Sequence, residues 1–203
     1  MRSSRRPGPL WRDPKRIAEE VLARSGAPRL AGRRGIDVER ILRYYRSIDV
    51  MYITDLNPGG ARLHALFVPE YGIVMVEANS PEGRQRFSLA HELGHAELEH
   101  DYGPANSLFD ASPVSFLCQP GDMESVPFVE RRIGMRRRAE IRANQFAATL
   151  LMPASLVREI WREMGDVRTC AEELGVSKRA LEIRLSELRL VSISSAPRLA
   201  TTP

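Results

Sequence analysis

A pair of histidines four residues apart, His91 and His95, sets the strongest limit on how this chain of 203 residues folds. Residues four apart in a helix lie on one face, about one turn from each other. Two imidazole nitrogens in that arrangement can both reach one tetrahedral zinc ion at about 2.0–2.1 Å. Glu92 is rotated about 100° from His91, so its carboxylate lies beside the metal, where it can deprotonate an attacking water. The spacing therefore predicts a helix that carries a zinc site.

Gly94 is an unusual residue for the middle of such a helix, because glycine costs about 1 kcal/mol relative to alanine there. Its position next to His95 indicates that another element packs closely against the helix at this point. We expect the helix to begin at Ser80-Pro81, a capping residue followed by a first-turn proline, and to run to about residue 99.

A catalytic zinc site needs a third ligand from the protein. Leu98 and Asp101 occupy the positions where the metzincin extension of the motif requires glycine and histidine, which disfavours that class of enzyme. His100 follows His95 by five residues and points to a different face of the helix. The remaining alternative is a carboxylate on a second, distant helix.

Glu140 is the strongest candidate for that carboxylate. It lies in the segment 129–152, whose apolar side chains recur at helical spacing. Asn144 follows it by one turn and can hydrogen-bond a ligand histidine, which fixes the orientation of the imidazole ring. Glu130 and Glu124 remain rivals as ligands, and an exposed carboxylate paired with a neighbouring arginine remains the alternative interpretation of Glu140.

The two motifs at residues 87–95 and 140–153 together resemble the ImmA/IrrE family of zinc metallopeptidases. The resemblance extends over residues 14–190. It implies a compact α+β fold of the zincin (minigluzincin) type, one zinc ion per chain and a cytoplasmic location. The best-studied members of the family cleave helix-turn-helix repressors and so switch on mobile-element or DNA-damage genes. By motif, the resemblance makes Glu92 the general base and assigns as metal ligands His91, His95 and Glu140.

The other segments predict the remainder of the α+β fold. Asp13-Pro14 opens a helix that Gly26 ends, and Asp37 caps a second helix. Residues 101–128 are rich in glycine, proline, serine and aspartate, which predicts a long irregular loop. Three segments have the composition of strands, and they are 49–54, 62–68 and 72–77.

The strand predicted at 72–77 directly precedes the motif helix, and we expect it to form the open edge of the sheet. Peptides often bind proteins by adding a strand to such an edge. The sequence therefore predicts that a peptide substrate lies along this segment.

Residues 167–188 resemble a helix-turn-helix within a predicted helical unit at 154–190. Gly175 permits the turn, and Ser177 caps the second helix. Acidic residues on that helix oppose phosphates, so two alternatives stay open: a bundle that only covers the catalytic domain, or a docking surface for a repressor. The candidate DNA contacts are Lys178, Arg179 and Arg184.

Composition and charge indicate the broad class of protein. Hydrophobic residues make up 43% of the chain and charged residues 28%, as in soluble globular proteins. We expect a cytoplasmic location, because no apolar run is long enough for a membrane span or a signal peptide. Residues 1–34 carry ten basic and three acidic residues. This bias reflects either an arginine-rich genome or an arm that contacts phosphates.

The two cysteines, Cys118 and Cys170, are too few for a disulfide framework. Cys118 is expected to be a small buried apolar side chain, with a switch that blocks the zinc as the alternative.

Taken together, these patterns divide the chain into four parts and lead to one function and one rival. The predicted function is cleavage of a co-encoded helix-turn-helix repressor by a zinc endopeptidase. The rival is a DNA-binding regulator with a structural or vestigial zinc site. The four parts are a flexible basic arm (1–12), a peptidase domain (13–153), a helical unit (154–190) and a flexible tail (191–203).

Overall fold

The computed structural model describes residues 13–56, 63–98 and 127–191, with the side chains of the last stretch described from residue 138. Within these residues, helices pack around a three-stranded sheet, which is the α+β class that the sequence predicts. The elements are α1 (Pro14–Ser25), α2 (Val38–Arg40), β1 (Asp49–Ile53), β2 (Ala65–Val68), β3 (Ile73–Glu77), α3 (Glu82–Glu97), α4 (Pro127–Leu151), α5 (Ala154–Met164), α6 (Val167–Leu174) and α7 (Lys178–Glu187). In this described part of the chain, none of the helices has the length and apolar character needed to cross a membrane.

Helix α1 begins and ends where the sequence predicts. The side chain of Asp13 accepts a hydrogen bond from the N–H of Lys15 at 3.0 Å, and Pro14 is the first helical residue. Gly26 ends the helix with φ +73°, a left-handed conformation that glycine adopts without a steric penalty.

Two other helices differ from the prediction. Asp37 caps α2 as expected, but after three residues the helix continues as a π-helical turn, Ile41–Tyr45, which the sequence pattern did not predict. Helix α3 has Pro81 at its N-cap, without a side-chain hydrogen bond. The expectation that Ser80 caps this helix is therefore wrong, because the serine lies one residue before the cap position.

The sheet has the strand order β1-β3-β2. Strand β3 pairs in parallel with β1 and antiparallel with β2, so it is the central strand. The prediction that segment 72–77 forms the open edge is wrong. After β2 the chain turns back through a short 3-10 helix, Pro69–Tyr71, and enters the sheet between the two other strands. Among the described strands, β1 and β2 are the edges.

Helices α3 and α4 are in close contact at Gly94. A Cβ atom on this glycine would lie 2.9 Å from Phe146 Cδ1 and 3.3 Å from Ala143 Cα. Both residues of α4 are fully buried. The close packing that the sequence predicts at this glycine is therefore confirmed, and it brings the two helices near enough to share a site.

We expect Gly94→Ala to destabilise the protein by about 1–3 kcal/mol, because overpacking against Phe146 outweighs the gain in helix propensity. Urea unfolding measures this free energy. The double variant Gly94→Ala/Phe146→Leu should lose less than the sum of the two single variants, because leucine vacates the space that the new methyl group needs. A more stable Gly94→Ala protein would show that the helices can separate at no cost.

The helices of the C-terminal unit form as predicted and pack into the same core as the rest of the chain. Ile160, Leu174 and Leu181 belong to one continuous buried cluster with Leu89 and Phe146. The cluster crosses residue 153, at which the sequence divides the chain into domains, and that division stays a prediction.

Candidate metal centre

Helices α3 and α4 bring His91, His95 and Glu140 together. The Nε2 atoms of the two histidines are 2.9 Å apart. The carboxylate oxygens of Glu140 lie 3.1 Å from His91 Nε2 and 3.4 Å from His95 Nε2. Bonds of 2.0–2.1 Å to a tetrahedral zinc ion place the ligand atoms about 3.3 Å apart. Two imidazoles and one carboxylate at this spacing fit such an ion.

Asn144 determines which nitrogen of His91 faces the centre of this group. Its Oδ1 lies 2.9 Å from His91 Nδ1. An amide oxygen only accepts hydrogen bonds, so Nδ1 carries the proton and donates it. In the neutral imidazole, Nε2 then directs its lone pair towards His95 and Glu140, which is the tautomer that a metal ligand requires.

The charges of the three side chains favour a cation at their centre. Burial raises the pKa of the Glu140 carboxyl, but His91 and His95, when protonated, hold this pKa well below its usual range through their hydrogen bonds and positive charges together. Burial lowers the pKa of His91, but the hydrogen bond to Glu140, the negative charges of Glu92 and Glu140 and the hydrogen bond to Asn144 together raise it overall. Both shifts have the same cause, a site that favours positive charge next to the Glu140 carboxylate.

Glu92 lies beside the three side chains and is only 6% exposed. Burial raises the pKa of its carboxyl above the ordinary value, against the opposing effect of His91 and His95. The backbone N–H of Phe67 on β2 donates a hydrogen bond to this carboxylate. A buried carboxylate held in one orientation and with a raised pKa is suited to accept and return a proton.

Strand β2 directs the backbone groups that do not pair with β3 to the side on which Phe67 meets Glu92. The N–H of Glu77 donates to the carbonyl of His64, which starts the ladder between β2 and β3. Because bonded and non-bonded pairs alternate in an antiparallel ladder, the backbone groups of Ala65 and Phe67 point away from β3. This role of β2 cannot be predicted from the sequence, since only the strand order shows which edge is open.

With this geometry established, comparison with known proteins assigns the family. The model of the family described as IrrE N-terminal-like domain, a peptidase family, matches residues 45–113 and 116–186. These ranges cover more than half of the chain. The chain belongs to this family. This is the ImmA/IrrE family that the two sequence motifs predict.

Individual relatives agree with this family assignment. The radiation response metalloprotease IrrE of Deinococcus radiodurans is 30% identical over 114 residues, which cover 56% of this chain and 29% of the relative. The protein of the same name from Deinococcus deserti is 29% identical over 168 residues, 82% of this chain and 50% of the relative. The chain thus spans half or less of the length of these two relatives.

A solved structure is similar in fold. A Mycobacterium tuberculosis transcriptional regulator superposes with a TM-score of 0.56 at 20% identity. The similarity covers 86% of this chain and 46% of the regulator. At this level of identity the likeness concerns the fold alone.

The three residues of α7 that the sequence predicts to contact DNA differ in their exposure. Lys178 and Arg179 are exposed, and Arg179 pairs with Glu182 at 3.5 Å. Arg184 is only 5% exposed, and its Nε donates to the carbonyl of Met152 at 3.0 Å. The expectation that Arg184 contacts DNA is therefore wrong, because its guanidinium is used inside the protein.

Several other candidates cannot be placed. His100, Asp101, Cys118 and Glu124 lie outside the described residues, and Glu130 lies in the part of α4 whose side chains are not described.

Proposed function

We propose that this protein is a zinc-dependent endopeptidase that cleaves a helix-turn-helix transcriptional repressor. The observation that carries the proposal is the convergence of His91, His95 and Glu140 beside the buried carboxylate of Glu92. A structural site with these ligands has no need of a base next to it. The family match supports peptide hydrolysis as the reaction.

The residues of the chain divide the work of hydrolysis between them. Zinc held by His91, His95 and Glu140 would supply Lewis-acid polarisation and a lower pKa for water. Glu92 takes the proton from the attacking water at its carboxylate and later gives it to the leaving amine nitrogen. The N–H of Phe67 keeps this carboxylate in place while it exchanges the proton.

The outer edge of β2 is the surface on which we place the peptide. The backbone N–H and C=O of Ala65 point away from β3, on the side where Phe67 meets Glu92. An extended peptide that pairs with this edge passes the base and the metal ligands. A folded helix-turn-helix domain offers no extended strand, so the cut should fall in a linker or in a helix that unfolds locally.

Incubation of the protein with the helix-turn-helix repressor encoded beside it tests the proposal. We expect one cut, which depends on zinc and on Glu92, and a loss of DNA binding or dimerisation by the repressor. Gel electrophoresis detects the fragments, and mass spectrometry of the new terminus maps the cut. Casein serves as an unrelated substrate. Digestion of casein at a comparable rate would contradict a regulatory role and leave only general peptidase activity.

Any affinity for DNA should be weak and should fall steeply with salt. Four of residues 1–12 are arginines and none is acidic, so they would act by releasing counterions from phosphates. Deletion of this segment should lower the affinity and flatten its salt dependence in a titration followed by fluorescence anisotropy. Arg179→Gln, on the exposed face of α7, is the comparison variant. If Arg179→Gln selectively lost binding to one operator sequence, α6 and α7 would instead be a unit that reads DNA sequence.

A further inference from the structure

Arg86 is a buried charge that the proposed reaction does not use. It lies on α3, five residues before His91, and is only 6% exposed. Its guanidinium donates to three backbone carbonyls, those of Leu174 at 2.8 Å, Gly175 and Ile36. In the described part of the chain, no carboxylate lies within ion-pair distance of it. Three carbonyls from two remote segments therefore hold this cation.

These contacts attach α3 to the turn between α6 and α7. Leu174 ends α6, and Gly175 follows it in the turn. One turn before Arg86, a Cβ atom on Gly83 would lie 3.0 Å from the backbone nitrogen of Ser177, which caps α7. Gly83 and Arg86, one helical turn apart on α3, therefore both contact the segment that joins α6 to α7.

The face of α3 that carries Arg86 points away from the metal ligands. Five residues at about 100° each place its side chain about 140° from that of His91 around the helix axis. On the ligand side, α3 meets α4 at Gly94, which has no side chain to resist rotation of the helix. Contact at Gly94 therefore limits the distance between the helices, whereas the hydrogen bonds of Arg86 hold the other face of α3.

We propose that Arg86 is a positioning residue for the metal centre. By binding the carbonyls of Leu174, Gly175 and Ile36, it holds α3 in the rotation at which His91 and His95 meet Glu140. Binding sites tolerate displacements of only about 0.5 Å, so a small rotation of α3 lowers metal affinity. In this account the helix-turn-helix-like unit serves the metal centre. The inference rests on the proposed metal-dependent function.

Two glycines offer a matched pair of variants that leave Arg86 itself intact. Gly175 and Gly165 both follow the last residue of a helix, with φ +63° and +64°. A Cβ atom at Gly175 would meet the Arg86 guanidinium and, at 2.9 Å, Leu30 Cδ1, whereas at Gly165 it would meet nothing within 4 Å. Alanine therefore imposes the same backbone strain at both positions and displaces Arg86 only at Gly175. Arg86→Lys is a third variant, which keeps the charge but cannot reach all three carbonyls.

Cobalt(II) alone is the probe, since its visible absorption reports ligand geometry and a competing chelator reports its affinity. We expect Gly165→Ala to match the wild-type spectrum and affinity. Gly175→Ala and Arg86→Lys should bind cobalt about tenfold or more weakly, with shifted absorption bands. Thermal unfolding of each variant shows whether it is folded.

Different results would contradict the positioning role of Arg86 and the proposed metallopeptidase function. If Gly175→Ala behaves like Gly165→Ala, and Arg86→Lys keeps the wild-type spectrum and affinity, Arg86 only stabilises the fold. If the wild-type protein itself binds no cobalt, the proposed metallopeptidase function fails, and the positioning role fails with it.

Discussion

Glu92→Gln should lower peptidase activity by about 10²–10⁴-fold while the protein keeps its fold and its metal. The amide has nearly the shape of the carboxylate and can still fill the buried position, but it cannot accept a proton from water. Because Glu92 is not one of the three converging ligands, metal content should not change. A selective loss of turnover is therefore the signature of a general base.

Glu82→Gln is the control for this variant. It makes the same chemical change at the start of the same helix, where Glu82 is exposed and pairs with Arg33 at 3.0 Å. Surface pairs of this kind contribute little to stability, so we expect wild-type activity. Turnover is measured on the repressor, zinc by elemental analysis and fold by circular dichroism. Undiminished turnover in Glu92→Gln would overturn the catalytic mechanism.

Removal of any one ligand should release the metal. We expect about one zinc ion per chain in the wild-type protein and almost none in His91→Ala, His95→Ala or Glu140→Ala, because three protein ligands are the usual minimum for a catalytic site. Glu19→Ala, at an exposed carboxylate on α1, is the control and should keep the full content. Elemental analysis after dialysis gives the stoichiometry.

One result of this series would assign the third ligand to a different residue. If Glu140→Ala retains zinc fully while both histidine variants lose it, another carboxylate completes the site, and Glu130 is the next to test. If all three variants retain zinc, the metal is bound elsewhere and the centre between α3 and α4 is not its site.

The elements that depend on local chemistry could be predicted from the sequence. The spacing of His91 and His95 places both on one face of a helix whatever the rest of the chain does. The ends of α1 follow from Asp13 and Gly26, whose preferences are properties of single residues. Glu140 could not be assigned as a ligand from its own segment, because that segment is equally typical of an exposed helix. The motif shared with the ImmA/IrrE family separated these alternatives.

Features that depend on long-range contacts could not be predicted. The composition of β3 is that of a strand, but its central position depends on how the chain returns after β2. Arg184 and Arg86 are indistinguishable in sequence from the many surface arginines. Both are buried because backbone carbonyls far away in the sequence accept their hydrogen bonds. No local sequence pattern identifies such acceptors, so Arg184 was wrongly predicted to contact DNA.

The central claim is that two histidines and one carboxylate bind the metal in this protein. X-ray absorption spectroscopy at the zinc edge, on the zinc-loaded protein, tests it most directly, because it identifies the ligand atoms without a substrate. We expect a first shell of nitrogen and oxygen only, at about 2.0–2.1 Å, with the scattering pattern of two imidazoles. A sulfur ligand at about 2.3 Å, or the pattern of fewer than two imidazoles, would contradict the assignment of His91, His95 and Glu140.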